Sequence, residues 1–325
     1  MTLLFAIGCS KVENPTSEEA LVDVRLNIGG EISVETTPIT KSTPTNDAYA
    51  INVYYNKDND GLINDIYGYG LFDNTEDMTI SLLSGHKYRF ECTLVKNAKN
   101  VLFYGQAFNN SYTGFAYPFQ TNSSNSTKIT NEFILGTTTY FTGIKSGNTH
   151  LPTAIPSTSN YKGYANVNRL YGEKDNYSPV ANGSVTIDLK RVVFGARFVI
   201  TGVEDGTLTA SCGSFWSTTT NKDDGGSESL YTYPNVYDCW KNDSDITANL
   251  SLSFKSSIAS YFDLSSTTSI TFKRNMLTTV NINISPDKSA ATLSITEEEI
   301  GVVNNIGLYI NADGVIDVTI DPNEN

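Results

Sequence analysis

Alternation of apolar and polar positions dominates this sequence. It is clearest at Leu21–Ile28 (LVDVRLNI), where every second residue is aliphatic: Val22, Val24, Leu26 and Ile28. A β-strand with this pattern presents all four aliphatic side chains on one face. Weaker period-two patterns predict further strands at 49–55, 78–83, 87–95, 128–135, 184–200, 246–254, 269–272, 277–284, 291–295 and 307–320. No long segment has a helical period, so the pattern predicts an all-β protein.

Polar stretches rich in Asn, Ser, Thr and Gly separate these strands at 109–128, 146–177 and 217–245. With 325 residues the chain is long enough for two domains of ordinary size. The Asn182-Gly183 turn divides it into halves of similar strand content. We therefore predict a leader and tether at 1–20, an N-terminal domain at 21–183 and a C-terminal domain at 184–325.

The charge balance narrows the choice of partners. Against 22 Lys and Arg stand 35 Asp and Glu, which gives a net charge of −13. Such a chain repels phosphate backbones and anionic headgroups, so nucleic-acid binding is disfavoured. Only 18% of the residues are charged, and the abundance of Ser, Thr, Asn, Gly and Tyr is typical of an extracytoplasmic β protein. No run of 18 apolar residues predicts a membrane-spanning helix.

The first residues suggest how the chain is held at a membrane. The apolar run Leu3–Ile7 supplies the tail of a secretory signal, although a basic start is missing. Ala6-Ile7-Gly8-Cys9 resembles the lipobox of bacterial lipoproteins, with Ala6 where Leu is usual. That resemblance implies acylation of Cys9, which would anchor the chain through lipid alone. The alternative is that Cys9 is an ordinary thiol.

The other three cysteines do not form a dense disulfide framework. Cys92 shares an alternating face with Phe90 and Leu94, so we interpret it as a buried thiol. Cys212 and Cys239 are candidates for a disulfide. None of the spacings resembles a metal site of the zinc type.

Few residues suggest a chemical site. Asn56, Asp58 and Asp60, followed by Gly61, alternate oxygen ligands as a calcium loop does, but position twelve is Tyr67 rather than Glu. A hairpin turn at Asp60-Gly61 explains the same residues. His86 and His150 lie in predicted loops and are interpreted as solvated. We expect no catalytic residue, no cofactor and no enzymatic activity.

Three stretches, taken in order, resemble the fimbrillin-like lipoproteins that build type V pili. They are Asp47–Tyr55 (DAYAINVYY), Lys190–Phe198 (KRVVFGARF) and Phe272–Asn275 (FKRN) followed by the alternating strand that starts at Val280. The resemblance implies two transthyretin-like β-sandwich domains in tandem. It also implies an outer-membrane lipoprotein of the cell surface that becomes part of a fimbrium. In this family a protease cuts after a basic residue and removes the first strand, which the C-terminal strand of another subunit replaces.

Carried over to this chain, the removable strand has the core residues Val22, Val24, Leu26 and Ile28. Lys41, in the Thr/Pro-rich stretch 36–45, is the expected cleavage position, because a cut at Arg25 would split the strand itself. The candidate donor is 307–320, where Asn311–Gly314 forms a hairpin turn and the residues Ile316, Val318 and Ile320 alternate.

Two functions follow from these features. The first is a structural, adhesive pilus subunit whose partners are other pilus subunits, a processing protease and ligands on host or bacterial surfaces. The second is a surface glycan-binding lipoprotein of a nutrient-capture system, with Trp216 and Trp240 stacking on sugars. The alternative, more usual for such residues, is that these tryptophans fill the cores of the sandwiches and the bases of loops.

Overall fold

The computed structural model describes residues 20–31, 46–58, 60–102, 114–115, 117–124, 127–147, 167–213, 216–255, 261–263, 268–286, 291–300, 309–310 and 316–317. Across these ranges regular structure is almost entirely strand, and helix is limited to α1 (Ala98–Val101), α2 (Val236–Asn242) and a 3₁₀ turn at Thr75–Asp77. The all-β prediction is confirmed. None of the helices in these ranges is long and apolar enough to cross a bilayer.

The first half of the chain builds an eight-stranded sheet. In chain order its strands are β1 (Leu21–Gly30), β2 (Ala48–Tyr55), β3 (Asp65–Phe72), β4 (Thr79–Leu83), β5 (Tyr88–Val95), β6 (Phe133–Leu135), β7 (Arg169–Tyr177) and β8 (Gly183–Arg191). Their order in the sheet is β4-β1-β8-β7-β5-β2-β3-β6. β7 and β8 share only the pairs Leu170 with Arg191 and Tyr171 with Lys190. Side chains of β1, β4 and β8 and of β2, β3 and β5 nevertheless form one buried cluster, as in a sandwich.

The strand predicted at 184–200 is divided between two sheets. The single strand expected at 184–200 is two strands, β8 and β9 (Val193–Thr201), with the buried Val192 between them. β8 pairs with β1 and β7 of the first sheet, whereas β9 pairs with strands of the second half. The chain therefore changes sheet at Val192, nine residues after the predicted boundary at residue 183.

The second half forms two smaller sheets. Their strands are β9, β10 (Thr207–Cys212), β11 (Trp216–Thr220), β12 (Asp224–Thr232), β13 (Ile246–Lys255), β14 (Tyr261–Asp263), β15 (Ser269–Phe272), β16 (Met276–Ile284) and β17 (Ala291–Glu299). One sheet has the order β12-β9-β16-β17, and the other has the order β11-β10-β13-β14, with β15 also paired to β13.

A second buried cluster joins the two smaller sheets to the first half of the chain. It combines Phe198 and Phe254 of the smaller sheets with Phe141 and Ala50 of the first half. Two separate sandwiches in tandem remain a prediction, since the hydrophobic packing runs from one half into the other.

Near the end of the chain, β18 (Tyr309–Ile310) pairs antiparallel with β19 (Ile316–Asp317). This pairing is the hairpin predicted around Asn311–Gly314. Val318 and Ile320 of the candidate donor strand lie outside the described residues.

Candidate functional site

The candidate site is the position that β1 fills between β4 and β8, which we call the β1 slot. β1 runs antiparallel to β4, from the pair Leu21 and Leu83 to the pair Arg25 and Thr79. It runs parallel to β8 from Val24 opposite Gly183 to Gly30 opposite Leu189. β1 is therefore an interior strand, and β4 is attached to the rest of the sheet through it.

The apolar side chains of β1 complete the core of the first sheet. Val24 and Leu26 are 0% and 1% exposed. Val22 and Ile28 are partly buried and pack against the same cluster. All four lie on the face expected from the alternation, but burial is complete only for two. These two contribute roughly 3–6 kcal/mol of hydrophobic stabilisation as an upper estimate.

The walls of the β1 slot are apolar as well. Val24 is opposite Ile80 of β4, and Leu26 is opposite Val185 of β8. Ile80 and Val185 are each 2% exposed. Departure of β1 would expose these side chains together with the hydrogen-bonding edges of β4 and β8, which any replacing strand would cover again.

Polar contacts mark both ends of the β1 slot. Near the start, the Ser81 hydroxyl donates to Asp23 Oδ1 at 2.6 Å. At the far end, Glu31 N donates to the Leu189 carbonyl at 2.8 Å. The Glu31 carboxylate accepts from Arg191 N at 2.7 Å and from Arg274 Nη1 at 2.8 Å.

Gly30 allows the chain to turn at this far end. Its φ is +84°, and a Cβ atom there would lie 2.3 Å from the Leu189 carbonyl oxygen. A residue with a side chain would clash with β8 and adopt a disfavoured left-handed backbone. Gly30 thus permits the close approach that brings Glu31 to Arg191 and Arg274.

Four residues with predicted roles lie outside the described ranges: Cys9 for lipidation, Lys41 for cleavage, and Val318 and Ile320 for the donor strand. Arg25, the less favoured cleavage position, is paired with Thr79 on one side and Ser184 on the other. A protease needs an extended, accessible backbone, so a strand paired on both sides is a poor substrate. Ile316 is paired with Ile310 of its own hairpin.

Two side-chain oxygen atoms of the weak calcium candidate accept backbone hydrogen bonds that hold the β2–β3 connection. Asn56 Oδ1 accepts from Lys87 N at 2.6 Å, and Asp60 Oδ1 accepts from Leu62 N at 2.8 Å. Asp58 is exposed. β2 and β3 pair antiparallel, as the hairpin interpretation requires. Within the described part of the chain, no group of three or more His, Cys, Asp or Glu side chains could hold a metal ion.

The interpretation of His86 as a solvated residue is wrong. His86 is 4% exposed, and its Nδ1 lies 2.9 Å from the Asn56 carbonyl oxygen. It packs near Tyr55, with ring centroids 5.6 Å apart. His86 thus helps to hold the β2–β3 connection, while His150 lies outside the described residues.

The candidate disulfide is absent. Cys92, Cys212 and Cys239 are all buried free thiols. Burial raises the pKa of Cys92 well above its usual value and that of Cys212 to about 12. These thiols are therefore protonated and unreactive near neutral pH.

The two tryptophans differ in exposure. Trp216 is 8% exposed and stacks on Phe198, with ring centroids 3.9 Å apart and planes at 12°. Trp240 is partly buried and lies edge-on to Tyr171 at 5.6 Å. Trp216 is therefore a core residue, with little surface to offer a sugar.

No protein-family model matches the sequence, and no curated protein matches it. Solved structures do match. The fimbrial anchor protein Mfa2 from Porphyromonas gingivalis is 11% identical, with 86% of this chain and 99% of that chain covered and a TM-score of 0.35. A fimbrial assembly protein from Parabacteroides distasonis is 12% identical, with 87% of this chain and 97% of that chain covered and a TM-score of 0.34. A Bacteroides thetaiotaomicron protein, named as a candidate for polysaccharide binding, is 8% identical, with 87% of this chain and 99% of that chain covered and a TM-score of 0.37. The solved structures similar to this chain thus include fimbrial proteins.

Proposed function

We propose that this chain is a structural subunit of a bacterial surface fimbrium, and that it joins its neighbours by strand exchange. In this scheme β1 leaves the β1 slot after proteolysis, and a strand of another subunit takes its place. The observation that carries the proposal is the position of β1. It is an interior strand that completes a core, yet it precedes every other described strand in the chain.

That position makes β1 separable. Residues 31–47 link β1 to β2, so one cut in this segment separates β1 from the rest of the chain without breaking any of the described strands. Arg25 lies within β1 and is paired on both sides, which leaves Lys41 as the proposed cleavage residue. The freed strand would leave an apolar slot, and burying that surface again is the driving force for association.

The proposed donor is the segment 307–320 of another copy or of a related subunit. Ile316, Val318 and Ile320 alternate as Val22, Val24 and Leu26 do. Since Ile316 pairs with Ile310 within its own chain, the donor must first leave this hairpin. Export as a lipoprotein acylated at Cys9 would hold the subunit at the outer membrane before assembly.

Cleavage after Lys41 is expected to convert the monomer into chains. The test inserts a specific protease site after Lys41, cuts the purified protein and follows its mass by size-exclusion chromatography with light scattering. The cut protein should form a ladder of multimers. The matched control carries Val318→Asp, which places a charge in the donor strand and should keep the cut protein monomeric.

A cut protein that loses β1 and still remains monomeric, also when other fimbrial subunits are present, would contradict the proposal. So would multimers that form equally well with Val318→Asp.

The alternative function is less well supported by the contacts. A glycan-binding platform needs exposed aromatic faces, and Trp216 is buried against Phe198. We therefore propose the fimbrial subunit and use Trp216 to test the alternative.

A further inference from the structure

A group of charged and polar residues from the end of β8, the end of α2 and the turn between β15 and β16 meets the far end of β1. We call it the carboxylate latch and define it as Arg191, Asp243, Arg274 and Asn275. Arg274 Nη1 donates to Glu31 Oε1 at 2.8 Å and to Oε2 at 3.1 Å, and Arg191 N donates to Oε2 at 2.7 Å. Three N–H···O contacts thus converge on one carboxylate.

The latch is built without help from Glu31. Arg274 Nε donates to Asp243 Oδ1 at 2.7 Å, and Arg274 Nη1 also donates to the Arg191 carbonyl at 3.1 Å. Arg191 Nη1 donates to Asn275 Oδ1 at 2.6 Å. Asn275 has a φ of +61° and donates its N–H to the Val193 carbonyl at 2.8 Å. The turn between β15 and β16 is therefore fixed against the start of β9, and the Arg274 guanidinium is held in place by residues other than Glu31.

Charge makes the latch selective for a carboxylate. Burial favours the neutral form of Asp243, but the hydrogen bond and charge of Arg274 and the charge of Lys190 outweigh it and lower the pKa of Asp243. Asp243 therefore stays ionised. If Glu31 departs, Lys190 and Arg274 share the one carboxylate of Asp243, which leaves one positive charge in excess. The Arg191 N–H and the Arg274 guanidinium then offer charge-assisted hydrogen bonds to a new carboxylate.

Alternation of apolar residues cannot fix the register of a strand in the β1 slot by itself. A slip of one residue turns the apolar face outward, but a slip of two residues restores it. A charged contact at one end separates these registers, because a carboxylate displaced by two residues moves by nearly 7 Å along the strand.

We propose that Arg274, together with Arg191 N–H, is a carboxylate-binding site that sets the register of whichever strand occupies the β1 slot. The partner that fits is an extended, alternating strand of another subunit, with an acidic side chain at the position that Glu31 holds in β1. This inference rests on the proposed strand exchange and adds to it the chemistry by which a donor is recognised.

The test uses the full chain with the protease site after Lys41, cut so that β1 is held only by non-covalent contacts. A fluorescent peptide of residues 20–33 (ALVDVRLNIGGEIS) with an amidated C-terminus is added, and its replacement of the resident strand is followed by anisotropy. A second peptide carries Glu31→Gln, and a third carries Glu31→Gln together with Ser33→Glu, which places the acidic residue two positions later. We expect the second and third peptides to bind about tenfold more weakly than the first, as befits a partly exposed charge-assisted contact.

Two protein variants complete the design. Arg274→Gln should lose most of the preference for the first peptide, because only the Arg191 N–H remains to bind the carboxylate. The matched control is Lys273→Gln, which removes a neighbouring cation that pairs with Glu297 at 2.7 Å and should leave the discrimination unchanged.

Peptides that bind with no preference for Glu31 contradict the carboxylate site while leaving strand exchange standing. The same holds if Arg274→Gln retains the full preference. A cut protein that accepts none of the peptides contradicts both the exchange and the site.

Discussion

Replacing Leu26 by Ala is expected to lower the free energy of unfolding by about 2–5 kcal/mol. Leu26 is 1% exposed, lies opposite Val185 of β8 and belongs to the cluster that the whole first sheet encloses. Its truncation removes buried methyl groups and leaves a cavity between the two parts of this sheet. Urea denaturation followed by fluorescence measures the change.

The matched control is Arg25→Ala on the same strand. Arg25 is the neighbouring residue, its side chain is exposed, and its loss should change the free energy of unfolding by less than about 0.5 kcal/mol. If Leu26→Ala costs no more than Arg25→Ala, β1 does not complete the core, and the slot would not attract another strand.

Replacing Trp216 by Ala should cost about 3–5 kcal/mol of folding stability. Trp216 stacks on Phe198 and belongs to the larger buried cluster of the chain. Its truncation therefore removes the largest side chain at the start of β11. The measurement is again urea denaturation, with a glycan array run in parallel on the same protein.

Trp240→Ala is the comparison for Trp216→Ala. Trp240 is only partly buried in α2, so its replacement by Ala should lower the free energy of unfolding by less than Trp216→Ala does. Saturable glycan binding that is lost on replacing Trp216, with the free energy of unfolding unchanged, would favour the glycan-binding alternative over the fimbrial subunit.

The alternating sequence predicts β1 because one face of that strand is buried and the other is solvated. The same reasoning misses β3 and β7. Gly68 and Gly70 interrupt the apolar pattern of β3, and a Cβ atom at Gly68 would lie 2.7 Å from the Ile134 carbonyl of β6. β7 begins with four buried residues and ends in five that are exposed or partly buried, so it lacks the period-two pattern by which a strand is predicted.

The change of sheet between β8 and β9 is hidden for another reason. Val192 is apolar and buried, like Val193 after it, and the Arg191 before it is buried as well, although charged. The local sequence contains no signal that the strand before Val192 pairs with β1 and the strand after it pairs with β16. Sheet membership depends on distant partners, which the local pattern does not encode.

The carboxylate latch could not be predicted from the sequence either. Glu31 and Arg274 are 243 positions apart, and the period of either segment gives no indication of their contact. The stretches with Lys190-Arg191 and Arg274-Asn275 do stand out in the resemblance to fimbrillin-like lipoproteins. Folding brings these two stretches together at the end of β1.

The most direct test of strand exchange is the structure of the assembled chains, determined by electron cryomicroscopy after cleavage at residue 41. We predict that a strand from a neighbouring subunit lies between β4 and β8 in every internal subunit, with an acidic side chain at Arg274. Chains in which each subunit keeps its own Leu21–Gly30 strand between β4 and β8 would contradict the account.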